Sequence, residues 1–92
     1  MRGVIHINPK DTVVTCLRPF KKGESFVVDG KTITVNMDIA VFHKVAVTDM
    51  REGELCYKYG QVIGGALLPI AAGDHVHEHN IESTRGRGDK RA

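Results

Sequence analysis

Tryptophan is absent, and three phenylalanines and two tyrosines are the whole aromatic complement of 92 residues. Scattered singly, they offer little of the stacking surface that single-stranded nucleic acids use. The two cysteines, Cys16 and Cys56, lie in separate apolar runs with no CxxC spacing. A disulfide framework and a thiolate metal site are therefore unsupported, and both read as buried free thiols. No hydrophobic run is long enough for a bilayer: the longest uncharged stretch, Gly60 to Gly73, has 14 residues broken by four glycines and Pro69, against the ~20 apolar residues a spanning helix needs. The opening MRGVIHINPKD meets Lys10 and Asp11 after only a few apolar residues, without the core of a signal peptide, so the expected location is cytoplasmic. No sign of charge prevails either. Residues 1–81 carry nine Lys/Arg and nine Asp/Glu, and residues 82–92 carry four and two, so the net +2 belongs to the tail and no basic face marks a nucleic-acid partner. A chain of this length makes one domain.

What is present is a series of short β-branched runs that repeatedly meet glycine: VIHI, TVVTCL, SFVV, KTITV, HKVAV, LCYKY, QVIGGALL and HVHEHN. These predict an all-β domain. Asp29-Gly30 between Val27-Val28 and Thr32-Ile33 predicts a two-residue hairpin. Between Lys31 and Glu52 neither Gly nor Pro occurs, but the β-branched content and period of two favour strand, leaving room for a single helical turn near Met37 to Phe42. Four segments align: PFKKGESFV (19–27), DIAVFHKVA (38–46), DMREGELCY (49–57) and PIAAGDHVH (69–77). Their fifth positions are Gly23, Phe42, Gly53 and Gly73, which predicts two similar halves of about thirty residues whose hairpins clasp a shared core.

The candidate chemistry lies near the C-terminus. In HVHEHN, His75, His77 and His79 alternate with Val76 and Glu78, so an extended strand would project three imidazoles from one face about 6.5 Å apart, the outer pair about 13 Å apart. Two such histidines, His75 and His77, could share one metal ion, and any of the three could act as acid or base near neutral pH; a polar surface lined by imidazoles is the plain alternative. A second cluster, Lys58, Tyr59 and Gln61, precedes Gly64-Gly65 and reads as a strand and turn with a ligand role open. In the tail, Arg85 and Arg87 flank Gly86, and their guanidinium forks suit a carboxylate, phosphate or sulfonate; a solvated end is the alternative. No nucleophile elbow, P-loop or dinucleotide fingerprint occurs, so the chain lacks a complete active site of its own.

DIAVFHKVAV, KYGQVIGGALLPIAAGDHVHEHN and ESTRGRGD together resemble the SAF-type domain of the altronate and galactarate dehydratase family, over nearly the whole chain. The resemblance implies a small β-clip fold for residues 1–81, followed by a basic Gly/Arg tail, 82–92, flexible when unbound. It implies the small subunit of a two-subunit lyase that dehydrates a sugar acid or eliminates sulfite from sulfolactate, inactive without a large catalytic subunit. It further implies a small anionic hydroxy-acid substrate, a divalent metal, typically Fe²⁺, in the complete enzyme, catalytic roles for His75, His77 and His79, and substrate contacts from Arg85, Arg87, Lys58, Tyr59 and Gln61. A non-catalytic module binding a small anion or a protein is the competing class, and self-association of the isolated chain is left open. Two positions depart from the family pattern: Phe42 stands where glycine is usual before HKVA, which puts one turn geometry in question, and Asn8 stands where histidine is more common before proline.

Overall fold

The computed structural model describes residues 3–83. Nine strands are found there: β1 (Val4–Ile5), β2 (Val13–Cys16), β3 (Ser25–Val28), β4 (Lys31–Thr34), β5 (Lys44–Ala46), β6 (Leu55–Lys58), β7 (Gln61–Ala66), β8 (His75–Val76) and β9 (Ile81–Ser83). All pairings are antiparallel, and the all-β expectation holds. The central sheet has the order β1-β2-β5-β8, with β3-β4 and β6-β7-β9 forming separate ribbons.

Both hairpin turns follow from two-residue loops that need positive φ at both central positions. Asp29 and Gly30 have φ of 49° and 77°, and Tyr59 and Gly60 have 56° and 75°. The second turn is unexpected for a tyrosine. It is held by Asp11, whose carboxylate accepts from the Gly60 N–H at 2.7 Å and the Asn8 N–H at 3.3 Å. Burial works against the Asp11 charge, but these backbone donors, with Tyr59 and His6, bring its pKa below the ordinary value.

The duplication is visible bond by bond. The second positions of the aligned segments pair as Phe20 with Ile39 and Met50 with Ile70. Gly23 donates to Val35 and Gly53 to Ala66; Glu24 closes a turn on Lys21 as Glu54 does on Arg51. Each of those glutamates also accepts from the backbone N–H of the same turn, at 2.7 Å from Lys21 and 2.6 Å from Arg51. The remaining two segments match as well, Phe42 donating to Cys16 and Gly73 to Ala46. Phe42 therefore keeps the turn that Gly73 makes, with φ of 70° beside 96°, and its side chain is 70% exposed. A phenylalanine held at positive φ carries backbone strain of about 1–2 kcal/mol.

The shared core expected between the ribbons is two adjoining cores. Strands β2 and β5 are covered on both faces, so consecutive residues serve opposite hairpins. Val14, Cys16 and Val45 join Phe20, Phe26, Val28, Ile33, Val35 and Ile39 under β3-β4. Val13, Ala46 and Val76 join Met50, Cys56, Ala66 and Ile70 under β6-β7, with Ile63 and Ile81 packed alongside. All four residues of β2 are buried, which explains why its sequence runs without polar alternation. Cys16 and Cys56 are free and buried as expected, and burial pushes the Cys16 thiol up to about 11. The segment from Met37 to Phe42 is a bend and a turn around the Ile39 bridge, without a helical turn.

Candidate functional site: an imidazole cluster beside a two-lysine pocket

Strand β8 ends at Val76, because Asn80 folds the following residues back. Its side-chain oxygen accepts from the His77 N–H at 3.0 Å, and its amide donates to the His75 carbonyl at 2.9 Å. The backbone N–H groups of Asn80 and Ile81 both donate to the His77 carbonyl at 3.0 Å. The extended strand expected through His79 is therefore a turn. Residues 81–83 leave it as β9, pairing with β7 from Ala66↔Ile81 to Gly64↔Ser83. Gly64 permits this: a Cβ there would stand 2.6 Å from the Ile81 Cγ2 atom and run into the Glu82 carbonyl.

This reversal brings the imidazoles together. The His75 and His79 rings lie 5.6 Å apart and those of His75 and His77 5.4 Å apart. His43, from the end of the turn that precedes β5, is a fourth member. It stacks on His75 at 5.0 Å and on His77 at 5.1 Å, and its Nδ1 lies 2.8 Å from His75 Nε2. One of these nitrogens donates and the other accepts, so the pair shares a proton and fixes complementary tautomers. Burial first, then the proximity of His43, His77, His79 and Lys44, depresses the His75 pKa. His75 is thereby biased toward its neutral form, able to accept a proton. The sequence signal for His43 was the HKVA motif, but strand order was needed to see it: β5 pairs with β8 in the register Val45↔His75 and Lys44↔Val76, so the residue before β5, His43, comes level with His77.

Next to this cluster is a cavity of about 330 Å³ lined by Lys44, Lys58, Ile63, Val76, His77, Glu78 and Ile81. Lys44 comes from β5 and Lys58 from β6, and Ile63 is turned in by a bulge, Cys56 pairing with Gly64 and Tyr57 with Val62. Burial and then the Lys58 charge lower the Lys44 pKa, the nearby Cys56 opposing. Thr15, directly across β2 from Lys44, is buried with a hydroxyl that has no hydrogen-bond partner among the described residues.

The other sequence candidates are distributed around this centre. Tyr59 is exposed at the tip of the β6-β7 hairpin with the Lys58 ammonium 4.8 Å from its ring centroid, and Gln61 is exposed opposite Lys58; neither lines the cavity. Arg85 and Arg87 lie outside the described residues. Asn8 accepts from the Lys10 N–H at 2.9 Å and its amide lies over Gly60, bracing the hairpin that carries Lys58. As for the metal, no group of three His, Cys, Asp or Glu among the described residues is arranged to hold an ion, and in this arrangement the facing nitrogens of His43 and His75 hydrogen-bond to each other. No helix long and apolar enough to cross a membrane occurs among the described residues.

A duplicated all-β domain with clustered imidazoles at the edge of its central sheet defines a small β module whose open site faces outward. The comparisons give it a family: the altronate/galactarate dehydratase SAF domain matches residues 2–84, and the chain belongs to that family. It is 45% identical over 79 residues to an altronate dehydratase of Escherichia coli strain K12, a match covering 86% of this chain and 16% of that protein. It is also similar to the alpha subunit of (2R)-sulfolactate sulfo-lyase. The identity is 40% over 47 residues in Chromohalobacter salexigens, covering 51% of this chain and 50% of the subunit, and 36% over 53 residues in Paracoccus pantotrophus, covering 58% and 79%. The chain thus spans about a sixth of the altronate dehydratase it matches and about half of the first of these subunits.

Proposed function

We propose that this chain is the small, non-autonomous subunit of a two-subunit lyase, acting on a sugar acid of the altronate or galactarate type or releasing sulfite from sulfolactate. The observation that carries the reading is the His43–His75–His77–His79 cluster opening onto a cavity lined by two lysines, within a domain whose relatives are a dehydratase and separate alpha subunits of a sulfo-lyase.

Dehydration of a hydroxy acid requires a base to take the proton α to the carboxylate and an acid to protonate the departing hydroxyl, which leaves as water when the C–O bond breaks; in the sulfo-lyase reaction sulfite departs instead. His75, biased toward the neutral form, suits the base, and its shared proton with His43 provides a route for passing the charge on. His77, at the boundary of cluster and cavity, suits the proton transfer nearest the substrate, with His79 completing the group. Lys58, Tyr59 and Gln61 sit on the hairpin bordering the cavity, and Arg85 and Arg87 of the tail supply guanidinium groups for an acidic group of substrate or partner. The Fe²⁺ implied by the family belongs, on this reading, to the large catalytic polypeptide, and the assembled enzyme works in the cytoplasm.

The test is reconstitution. The purified chain is assayed with Fe²⁺ and with altronate, galactarate or sulfolactate, alone and after addition of a large dehydratase-type polypeptide encoded beside it. Turnover only in the mixture is expected. Turnover by the chain alone, or a large polypeptide equally active without it, would overturn the proposal in favour of an autonomous enzyme or a non-catalytic binding module.

A further inference from the structure

The lysine-lined cavity has a chemistry that the imidazoles do not explain. Lys44 and Lys58 reach it from different strands, the Lys58 ammonium resting over the Tyr59 ring beside it, and two lysines bordering one small cavity repel each other unless an anion stands between them. The depressed pKa of Lys44, caused first by burial and then by Lys58, agrees with two unneutralised cations. Its volume, about 330 Å³, falls within the roughly 300–1,000 Å³ of small-molecule sites.

The remaining walls narrow the choice of anion. Ile63, Val76 and Ile81 give one side that is apolar, and Glu78 contributes a carboxylate. A bare inorganic anion has no use for the apolar wall and is repelled by Glu78. A molecule with an acid group at one end, hydroxyls along its length and C–H bonds on one face satisfies all of them.

We propose that this cavity is the substrate's acid-group seat within this chain, built for a small polyhydroxy carboxylate: Lys44 and Lys58 hold the carboxylate, Glu78 accepts from hydroxyls, and the partly buried Ile63 and Ile81 carry the C–H face, with Val76 as its floor. The proposal rests on the lyase reading above, deepening it by assigning Lys44, absent from the sequence-level candidates, and by giving Glu78 a part in selecting hydroxy acids over simple anions. His77, which lines the same cavity, is then the imidazole nearest the bound acid.

The experiment needs neither turnover nor a partner. The full chain, labelled at lysine and histidine, is titrated by NMR at constant ionic strength with sodium gluconate as the hydroxy-acid probe, and in parallel with neutral glucitol, acetate and methanesulfonate. Saturable shifts at Lys44, Lys58 and His77 with gluconate, absent with glucitol, are expected. K44M and K58M should each weaken gluconate at least about tenfold, the loss of one charge-assisted contact. E78Q should narrow the preference for gluconate over acetate, and tighter binding of methanesulfonate than of gluconate would overturn the carboxylate assignment. The variants should keep the wild-type amide spectrum away from the cavity. Gluconate shifts confined to other lysines, no saturable binding, or wild-type affinity in both lysine variants would overturn the seat. These outcomes are separate from the reconstitution test, where a failed lyase would leave a measured anion site intact.

Discussion

Replacing Asn80 with alanine should undo the turn that assembles the imidazoles. Asn80 is 3% exposed, and its side chain makes two hydrogen bonds, from the His77 N–H at 3.0 Å and to the His75 carbonyl at 2.9 Å. A typical buried hydrogen bond contributes about 1 kcal/mol net, and a polar group left unsatisfied costs about 1–3 kcal/mol. Both partners are backbone groups beside a partly exposed turn, so water can rescue some of the loss, and the expected destabilisation is about 2–4 kcal/mol. For a domain of this size each kcal/mol moves Tm by ~4–8 °C, so the melting point followed by circular dichroism should fall by about 10 °C or more. The histidine ring resonances should change in the folded variant, because the 5.6 Å contact of His75 with His79 depends on the fold-back. Asn80→Asp keeps the acceptor for His77 but sets a buried carboxylate oxygen against the His75 carbonyl, and should cost at least as much as alanine near neutral pH. A destabilisation under about 0.5 kcal/mol with unchanged histidine signals would refute the claim that this amide organises the site.

His75 has its folded-state pKa below the unfolded value of about 6.5, so the folded state binds fewer protons and its stability is full above that pH and declines as pH falls toward the lowered value. Denaturant midpoints between pH 7.5 and 5 should show a slope of at most about 1.4 kcal/mol per pH unit for one proton, reduced in His75→Gln; an equal slope in the variant would remove His75 as its source. The paired turns should respond unequally to opposite substitutions. Gly73→Ala would drive a Cβ into the Thr34 carbonyl at a φ of 96° and should cost about 2 kcal/mol or more. Phe42→Gly relieves strain while losing partial burial and adding unfolded-state freedom, and should stay within about 1 kcal/mol by chemical denaturation; equal losses at both sites would contradict their equivalence.

Much of the fold is legible in the residues because its determinants are local. Asp29-Gly30 dictates a hairpin turn by its φ values, and the repeat of Phe20, Ile39, Met50 and Ile70 is a repeat of bridge positions. The two cores are not legible locally: that Val13 and Val14 serve opposite hairpins depends on which ribbons cover the β2-β5 pair. The site divides in the same way. The alternation of His75, His77 and His79 marks the chemistry, yet strand periodicity assigns the wrong geometry, since two bonds from Asn80 outweigh the extended preference of HVHEHN. His43 and Lys44 are brought in by a long-range strand pairing that no local pattern encodes, whereas Lys58 was marked by its own polar-aromatic cluster.

A chain that contributes imidazoles to a shared active site must lose turnover when those imidazoles are removed. The most direct measurement is kcat of the reconstituted two-chain enzyme carrying His75→Gln, His77→Gln or both, with assembly and thermal stability checked for each. Losses of about 10²–10⁴ in kcat in properly assembled single variants are predicted, the usual contribution of a positioned acid or base. Wild-type kcat in both single variants and in the double variant would contradict the claim and reduce the cluster to a structural feature of the turn.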